Sequence, residues 1–224
     1  MSDFLSAIYH VVRKDLIIEI RTKQVTTTAT VFSLLVVITF AFSFVQTFAN
    51  PRIVGRSALW IAFVFAGTLG VTKTVGIEAR NAALDGLLLA PVDRSAIYVG
   101  KVLSTAFFVI IVDVVTLAAA VVFLGYAPTP TTLVSLVGVL VVAAFGFAAV
   151  AVVVSTLTHR STLDELVLPV LLVPLVVPVL LAGVEITDAL SSGRPTTTWL
   201  QLLCSYTGIL FLAGIAVFDY VVEE

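Results

Sequence analysis

The sequence has few charged residues for its length. Charged side chains make up 12% of the 224 residues, hydrophobic side chains make up 60%, and the mean hydropathy is +1.16. Because a soluble domain carries roughly a quarter charged residues, this chain could not bury its apolar surface in water, and lipid must solvate part of it. The net charge of -2 argues against a nucleic-acid partner. A single cysteine, Cys204, excludes an intrachain disulfide.

Sequence motifs for catalysis and nucleotide binding are also missing. There is no phosphate-binding loop of the form G-x-x-x-x-G-K-S/T, so the chain cannot bind ATP by that route. It has no G-x-S-x-G elbow, no H-E-x-x-H pair and no cysteine cluster. The two histidines, His10 and His159, are too far apart in sequence to suggest a metal site. We therefore expect no catalytic residue, metal or bound cofactor, which leaves transporters, channels and membrane scaffolds.

Six apolar segments are long enough to cross a bilayer, since a hydrocarbon core of about 30 Å requires about 20 residues of helix. A backbone in lipid must satisfy its own hydrogen bonds, so these segments are predicted to be helices. The predicted spans cover residues 29–49, 57–77, 97–125, 131–156, 166–184 and 199–222. The fifth is the shortest and least regular. The fold class is therefore an all-α polytopic membrane protein with six transmembrane helices.

The distribution of lysine and arginine predicts the orientation, because cytoplasmic segments carry the excess of these residues. Four lie in the N-terminal segment, four lie around the connection between the second and third spans, and Arg160 follows the fourth span, which gives nine. The other side has three, namely Arg52, Arg56 and Arg194. We expect a multi-pass protein of the cytoplasmic membrane with both termini in the cytoplasm.

Residues 1–28 are predicted to form a cytoplasmic amphipathic segment, and residues 29–224 the transmembrane domain. Between residues 4 and 20, one helical face carries apolar side chains, interrupted by Glu19, and the opposite face is polar. The apolar face consists of Leu5, Ile8, Val12, Leu16 and Ile20. This pattern favours an interfacial helix on the cytoplasmic leaflet. The alternative is a helix that packs on a partner protein.

A charged stretch with sequence EARNAALDGLLLAPV separates the second and third spans. On a helix over about residues 78–90, Leu84, Leu87 and Leu88 share one face, because their spacing is i, i+3, i+4. Glu78, Arg80 and Asp85 supply polar neighbours, and Pro91 ends the helix. The leucines favour either a helix in the lipid interface or a docking helix for a cytoplasmic protein.

The third span carries a lysine near its start and an acid near its middle. Asp93 or Ser95 can cap this helix, and Lys101 can extend to the lipid headgroups. Asp113 lies twelve residues further, about 18 Å along the helix, near the bilayer midplane. An acid at that depth should face protein or water. Asp113 is either a working polar group in the translocation path or a buried carboxyl bonded to Thr116 or a neighbouring helix.

Proline and small residues mark two further spans. Pro169, Pro174 and Pro178 each remove a helical hydrogen bond, which predicts that the fifth span is kinked or broken, with a re-entrant outer part as one option. Glu185 and Asp188 follow this span and are expected in a solvated loop, with contact to an external partner as the alternative. In the second span, a stripe of small residues predicts a tight helix contact. The stripe comprises Ala58, Ala62, Ala66, Gly70 and Thr74.

Taken in order, these features resemble the permease subunits of type-2 ABC exporters, and more narrowly the CcmB family, the haem exporter permeases of cytochrome c maturation. The charged stretch, the Gly100-Lys101 pair, the proline-spaced fifth span and the C-terminal WLQLLCSYTGILF…FDYVVEE carry the resemblance, which covers essentially the whole chain.

The resemblance implies a half-transporter that recruits a separate cytoplasmic ATPase, CcmA, with ATP bound by that partner and haem as a possible substrate. It assigns ATPase docking to the charged stretch, and thus to Glu78, Arg80, Leu84, Asp85, Leu87, Leu88 and Pro91. It also implies a second copy of the chain and partners similar to CcmC, CcmD and CcmE. The alternatives are an exporter of another lipid-like or drug-like substrate, and a membrane scaffold that transports nothing while the ATPase powers a release step.

Overall fold

The computed structural model describes residues 2–44, 50–81, 92–158 and 164–223, and all its regular elements are α-helices. These described residues form seven helices: α1 (Ser2–Thr22), α2 (Gln24–Phe44), α3 (Pro51–Asn81), α4 (Arg94–Leu124), α5 (Pro130–Thr158), α6 (Asp164–Ser192) and α7 (Thr197–Glu223). Each helix from α2 to α7 contains a segment long and apolar enough to cross a membrane, which gives the six predicted spans. The predicted fold class is confirmed.

Three predicted spans differ from the observed helices by four residues or more. The second, predicted over residues 57–77, lies within a longer helix, α3 (Pro51–Asn81). The first begins at Gln24, five residues before the predicted start at residue 29, because a short turn at Lys23 separates α1 from α2. The prediction that the fifth span is the shortest is wrong. Helix α6 has 29 residues and extends to Ser192, so Glu185 and Asp188 lie within the helix rather than in a loop.

Helix α6 accommodates Pro169, Pro174 and Pro178 without interruption. The prediction of a break with a re-entrant part is therefore wrong, while a kink stays a prediction. A proline cannot donate to the carbonyl four residues earlier and crowds the backbone there. In membranes, neighbouring helices re-satisfy such carbonyls. The carbonyl oxygen that Pro178 leaves without its helical donor is that of Pro174, and the next carbonyl oxygen, that of Leu175, accepts the Tyr206 hydroxyl of α7 at 2.9 Å.

Helices α3 and α5 occupy the centre of the bundle, and α2 and α7 its periphery. Of their apolar segments, 67% is buried in both α3 and α5, against 22% in α2 and 11% in α7. Most of the surface of α2 and α7 is therefore left uncovered by the rest of the chain. The small-residue stripe of α3 packs on α2, because a β-carbon at Gly70 would lie 3.6 Å from Val25 and 3.8 Å from Ala29. The predicted tight contact is confirmed within one chain.

Glycines allow large aromatic rings to fit between helices. The ring of Trp60 occupies the space that a side chain at Gly183 would need, since a β-carbon there would overlap the ring. The indole N–H of Trp60 donates to the Thr187 hydroxyl at 3.0 Å, which fixes α3 against α6. Similarly, Tyr98 of α4 fits against Gly214 of α7.

Helix α1 packs on α4 through a face that differs from the predicted apolar one. Val11 is buried at the close approach to Gly100, whereas Leu5 and Ile20 are 63% and 69% exposed. The helix is therefore confirmed, and the position of its apolar face in the lipid interface stays a prediction. Glu19, which interrupts the apolar pattern, is buried because its carboxylate accepts the first backbone N–H groups of α2, from Val25 and Thr26, at 3.3 and 2.7 Å.

The opposite end of the bundle carries an ion-pair cluster. The Asp188 carboxylate of α6 contacts the guanidinium groups of Arg56 on α3 and Arg194 after α6. The expectation of a solvated loop acid at Asp188 is therefore wrong. Two of the three basic residues predicted on the outer side are partly neutralised by this single acid.

Candidate functional site

The predicted ATPase-docking residues fall mostly outside the described part of the chain. Glu78 and Arg80 lie in the last turns of α3, which continues through Asn81 without a break, so the predicted docking helix begins as an extension of the second span. Their side chains are not among the described ones. The residues Leu84, Asp85, Leu87, Leu88 and Pro91 lie outside the described residues, and their docking role stays a prediction.

The described residues enclose a cavity of about 100 Å³ between helices α1 to α5. One face of α4 lines it over three turns, because residues three and four positions apart share a helical face. This row consists of Lys101, Ser104, Thr105, Phe108, Val112 and Asp113. All these wall residues lie in the half of the bundle nearer to α1, which is called the α1 half below.

Charged side chains line the open end of the cavity. Helix α1 contributes Lys14, Asp15 and Glu19, and α4 contributes Lys101. The Lys14 ammonium lies 3.1 Å from one carboxylate oxygen of Asp15, and the other accepts the hydroxyl of Ser104 at 2.8 Å. Lys101 is 6% exposed, so the prediction that it extends to the headgroups is wrong. Helix α1 packs on α4 at the neighbouring Gly100, and the lysine is buried in the bundle.

Asp113 lies at the closed end of the cavity. The residue is 1% exposed, and its Oδ2 has no hydrogen-bond partner among the described residues. The predicted alternative of a bond to Thr116 is not formed, because the Thr116 hydroxyl donates to the carbonyl oxygen of Val112 at 2.7 Å. A buried polar atom without a partner is costly, so the vacant acceptor at the end of a cavity requires water or a ligand.

Aromatic packing closes the bundle beyond Asp113. Phe63 and Phe147 meet edge to face at a centroid distance of 5.6 Å, and Trp60 meets Phe63 in the same way at 5.4 Å. All three rings are at most 1% exposed. Gly67, a cavity-lining residue, contacts the ring of Phe147. The cavity therefore stops near the middle of the bundle in the described part of the chain.

The size and chemistry of the cavity restrict its contents. Pockets for drug-sized ligands have volumes of about 300–1,000 Å³, so a cavity of about 100 Å³ holds water or small ions and is too small for a porphyrin. Within the described ranges, no three His, Cys, Asp or Glu side chains are grouped to hold a metal ion. Ser155 and Thr156 line the cavity, and their hydroxyls donate to the carbonyl oxygen of Val152. These hydroxyls can therefore accept a hydrogen bond from a molecule in the cavity.

The sequence analysis identifies Asp113 but misses the α1 contribution to its surroundings. In the sequence, Asp15 and Glu19 belong to a helix that is predicted to lie at the membrane surface. No local pattern connects Asp15 with Ser104, which is 89 residues away. The available signal is the row of Ser104, Thr105 and Asp113 on one face of α4, since polar residues on one side of a membrane helix indicate a protein-facing or water-facing surface.

One comparison with known proteins covers almost the entire chain. The family model described as CcmB protein matches residues 6–221, and the chain therefore belongs to the CcmB family. No curated protein matches it.

Proposed function

We propose that this member of the CcmB family is the membrane subunit of an exporter whose ATP hydrolysis is performed by a separate cytoplasmic ATPase. The family is that of the permease subunit of the haem exporter in cytochrome c maturation, and six apolar helices fit that role. The observation that carries the proposal is the family match over residues 6–221 in a chain without a phosphate-binding loop. Energy from ATP must then enter through another subunit.

The ATPase binds the charged stretch at about residues 78–90. This docking is supported by the predicted leucine face of the stretch, formed by Leu84, Leu87 and Leu88. Exposure of this face to water would be unfavourable without a partner. Helix α3 runs from the membrane into this stretch as far as Asn81, so movement of the docked ATPase would act directly on a central helix.

A matched pair of double variants tests this docking. Leu84→Asp with Leu88→Asp places two charges on the leucine face, and Ala82→Asp with Gly86→Asp places two charges on the opposite face of the predicted helix. We expect the first variant to lose co-purification with the ATPase and the second to retain it, with both inserted in the membrane. Undiminished binding by the leucine variant would refute the docking role.

The termini and the α1 half lie on the cytoplasmic side. The support is the excess of Lys and Arg in the α1 half, which includes Lys14, Lys23, Lys73 and Lys101. Cysteines at Ser2 and Glu224, in a chain with Cys204 replaced, should resist an impermeant thiol reagent in intact cells. Labelling of either cysteine from outside would reverse the orientation.

A second candidate is that the complex releases a haem-loaded chaperone and moves no haem through this chain. The observation that favours it is the size of the cavity, which is too small for a porphyrin in this conformation. ATP-dependent haem flux into vesicles that contain the purified complex would support transport. Release of the loaded chaperone with no flux would support the scaffold hypothesis.

The remaining partners are a second copy of this chain and proteins similar to CcmC, CcmD and CcmE. Two ATPase subunits would require two membrane subunits, and the thinly covered helices α2 and α7 leave lateral surface for them. Differently tagged copies of the chain should co-purify from mild detergent at native expression level. Recovery of a single tag from the intact complex would exclude the second copy.

A further inference from the structure

We propose that Asp113 is a proton-exchanging carboxyl at the end of a hydrated passage that opens only on the side of α1. The cavity, the unpartnered oxygen and the aromatic closure beyond it together carry this inference. Its ligand is water or the hydrated proton. The proposal concerns a site distinct from haem and from ATPase docking, so it stands or falls independently of both.

Water fits the passage by volume and by polarity. A water molecule needs about 10–15 Å³ of such volume, so a cavity of about 100 Å³ accommodates several waters in a chain. The outer part offers the charged groups and hydroxyls needed to hold them, including Ser104 and Thr105. At the inner end, Oδ2 of Asp113 provides an acceptor that the described protein leaves vacant.

Access is restricted to the α1 side because the walls differ in the two halves. Lys14 and Ile18 line the cavity and are partly exposed, so the passage reaches the surface beside α1. In the other direction, the buried rings of Phe63 and Phe147 fill the space between α3 and α5. Protons can therefore reach Asp113 from one side of the membrane and not from the other.

The charged groups that face this passage come from two helices. Helix α1 contributes Lys14, Asp15 and Glu19, and α4 itself contributes Lys101. The cavity-lining residues of α2, α3 and α5 carry no charge and supply hydroxyls or apolar groups. Glu19 is bound to the start of α2, and Asp15 is bound to Lys14 and Ser104. Asp113 is therefore the acid that remains available to water.

Silver-ion accessibility of single cysteines tests the passage. The silver ion is hydrated, similar in size to water, and reacts with thiols only where water reaches them. The test series, with Cys204 replaced, comprises Asp113→Cys and Val112→Cys in the cavity and Val114→Cys on the lipid-facing side of α4 at the same depth. Val114 is 47% exposed and does not line the cavity, so it is a matched control.

Two reference cysteines define the sides in the same vesicles, Ser2→Cys for α1 and Ala127→Cys for the loop between α4 and α5. Silver is added on the Ser2 side, the protein is then denatured, and the cysteines that silver has not bound are labelled. We expect no labelling of Asp113→Cys and Val112→Cys, and full labelling of Val114→Cys. Reaction from the Ala127 side, or no reaction of either cavity cysteine from any side, overturns the proposal. Val112→Cys keeps the test valid if Asp113→Cys does not fold, because it retains the acid.

Infrared difference spectra between the wild-type chain and Asp113→Asn test the proton exchange. We expect the carboxyl signal of Asp113 to respond within the mixing time, either by converting between acid and carboxylate as the buffer pH changes or by shifting in deuterium oxide. A carboxyl signal that does neither would show a sealed group and refute the proposal. A further test variant is Thr105→Leu, which narrows the passage and should slow the exchange. Its control is Leu103→Phe, outside the cavity lining, which should leave the exchange rate unchanged.

Discussion

The two halves of the helix bundle have similar apolar exteriors and different interiors. In the α1 half, hydroxyls, two lysines and three acids border a cavity that ends at Asp113. In the opposite half, the buried rings of Trp60, Phe63 and Phe147 pack edge to face, and Asp188 pairs with Arg56. The same helices therefore leave a partly polar cavity on one side of the midplane and pack aromatic rings closely on the other.

The helices tolerate polar residues in the α1 half because most hydroxyls bond within their own helix. Thr68, Thr72 and Thr74 donate to the carbonyl oxygens four residues earlier, at 2.7 to 3.0 Å. Such a hydroxyl keeps no unsatisfied proton and still offers an acceptor to water. The Oδ2 atom of Asp113 has no such partner within its own helix, and the cavity is the space from which a partner could reach it.

Truncation of an aromatic ring should have the largest effect and should differ between the halves. Phe63→Ala removes a ring that is 1% exposed and packed on two others, so we expect a loss of about 3–5 kcal/mol in the free energy of unfolding. Phe108→Ala enlarges an existing cavity and should cost clearly less. Unfolding in mixed micelles of increasing dodecyl sulfate content measures both. Equal losses would show that the two interiors are packed alike.

Overpacking at a glycine should have the next largest effect. In Gly183→Ala the new β-carbon overlaps the Trp60 ring, which a hydrogen bond holds in place, so we expect a loss of about 1–3 kcal/mol. The matched control is Gly138→Ala in α5, where no atom lies within 4 Å. Because glycine is about 0.5–1 kcal/mol less favourable than alanine inside a helix, this control should stabilise the protein. The same unfolding assay compares the two, and a neutral Gly183→Ala would contradict the close packing.

Loss of the Glu19 carboxylate should weaken the α1 half moderately. Glu19→Ala removes the acceptor for two backbone N–H groups at the start of α2, and a lost cap costs about 0.5–2 kcal/mol. Glu19→Gln retains one acceptor oxygen and should fall between the wild-type chain and Glu19→Ala. Proteolysis near Lys23 should increase in the same order, and an unchanged pattern would show that the cap does not hold the junction.

Breaking the ion-pair cluster should have the smallest effect. Asp188→Asn removes the anion between Arg56 and Arg194, but these groups are 19 to 55% exposed, so water and salt screen the pairs. Exposed pairs contribute about 0–1 kcal/mol, and we expect a loss in that range that vanishes at high salt. A larger, salt-independent loss would mean that the opposite half depends on this cluster.

Local patterns predict the features that belong to single helices. The hydropathy of each span, the cap at Asp93 and the small-residue stripe around Gly70 are all recognisable in short segments, and the structure confirms them. In the N-terminal helix, periodicity predicts the helix but not its packed face. That face depends on Gly100, a residue of another helix that accommodates Val11.

The sequence alone determined that this chain has six membrane-spanning segments and carries an acid at mid-depth. Both follow from local quantities, because the hydropathy of a segment depends on its own residues and the depth of an acid depends on its distance from the start of its helix. The tertiary structure decided what surrounds that acid. Asp15 reaches Ser104 across 89 residues, and Trp60 reaches Thr187 across 127. Such contacts depend on how whole helices are placed against one another. The cavity below Asp113 and the aromatic packing above it therefore follow from packing, which no local pattern encodes.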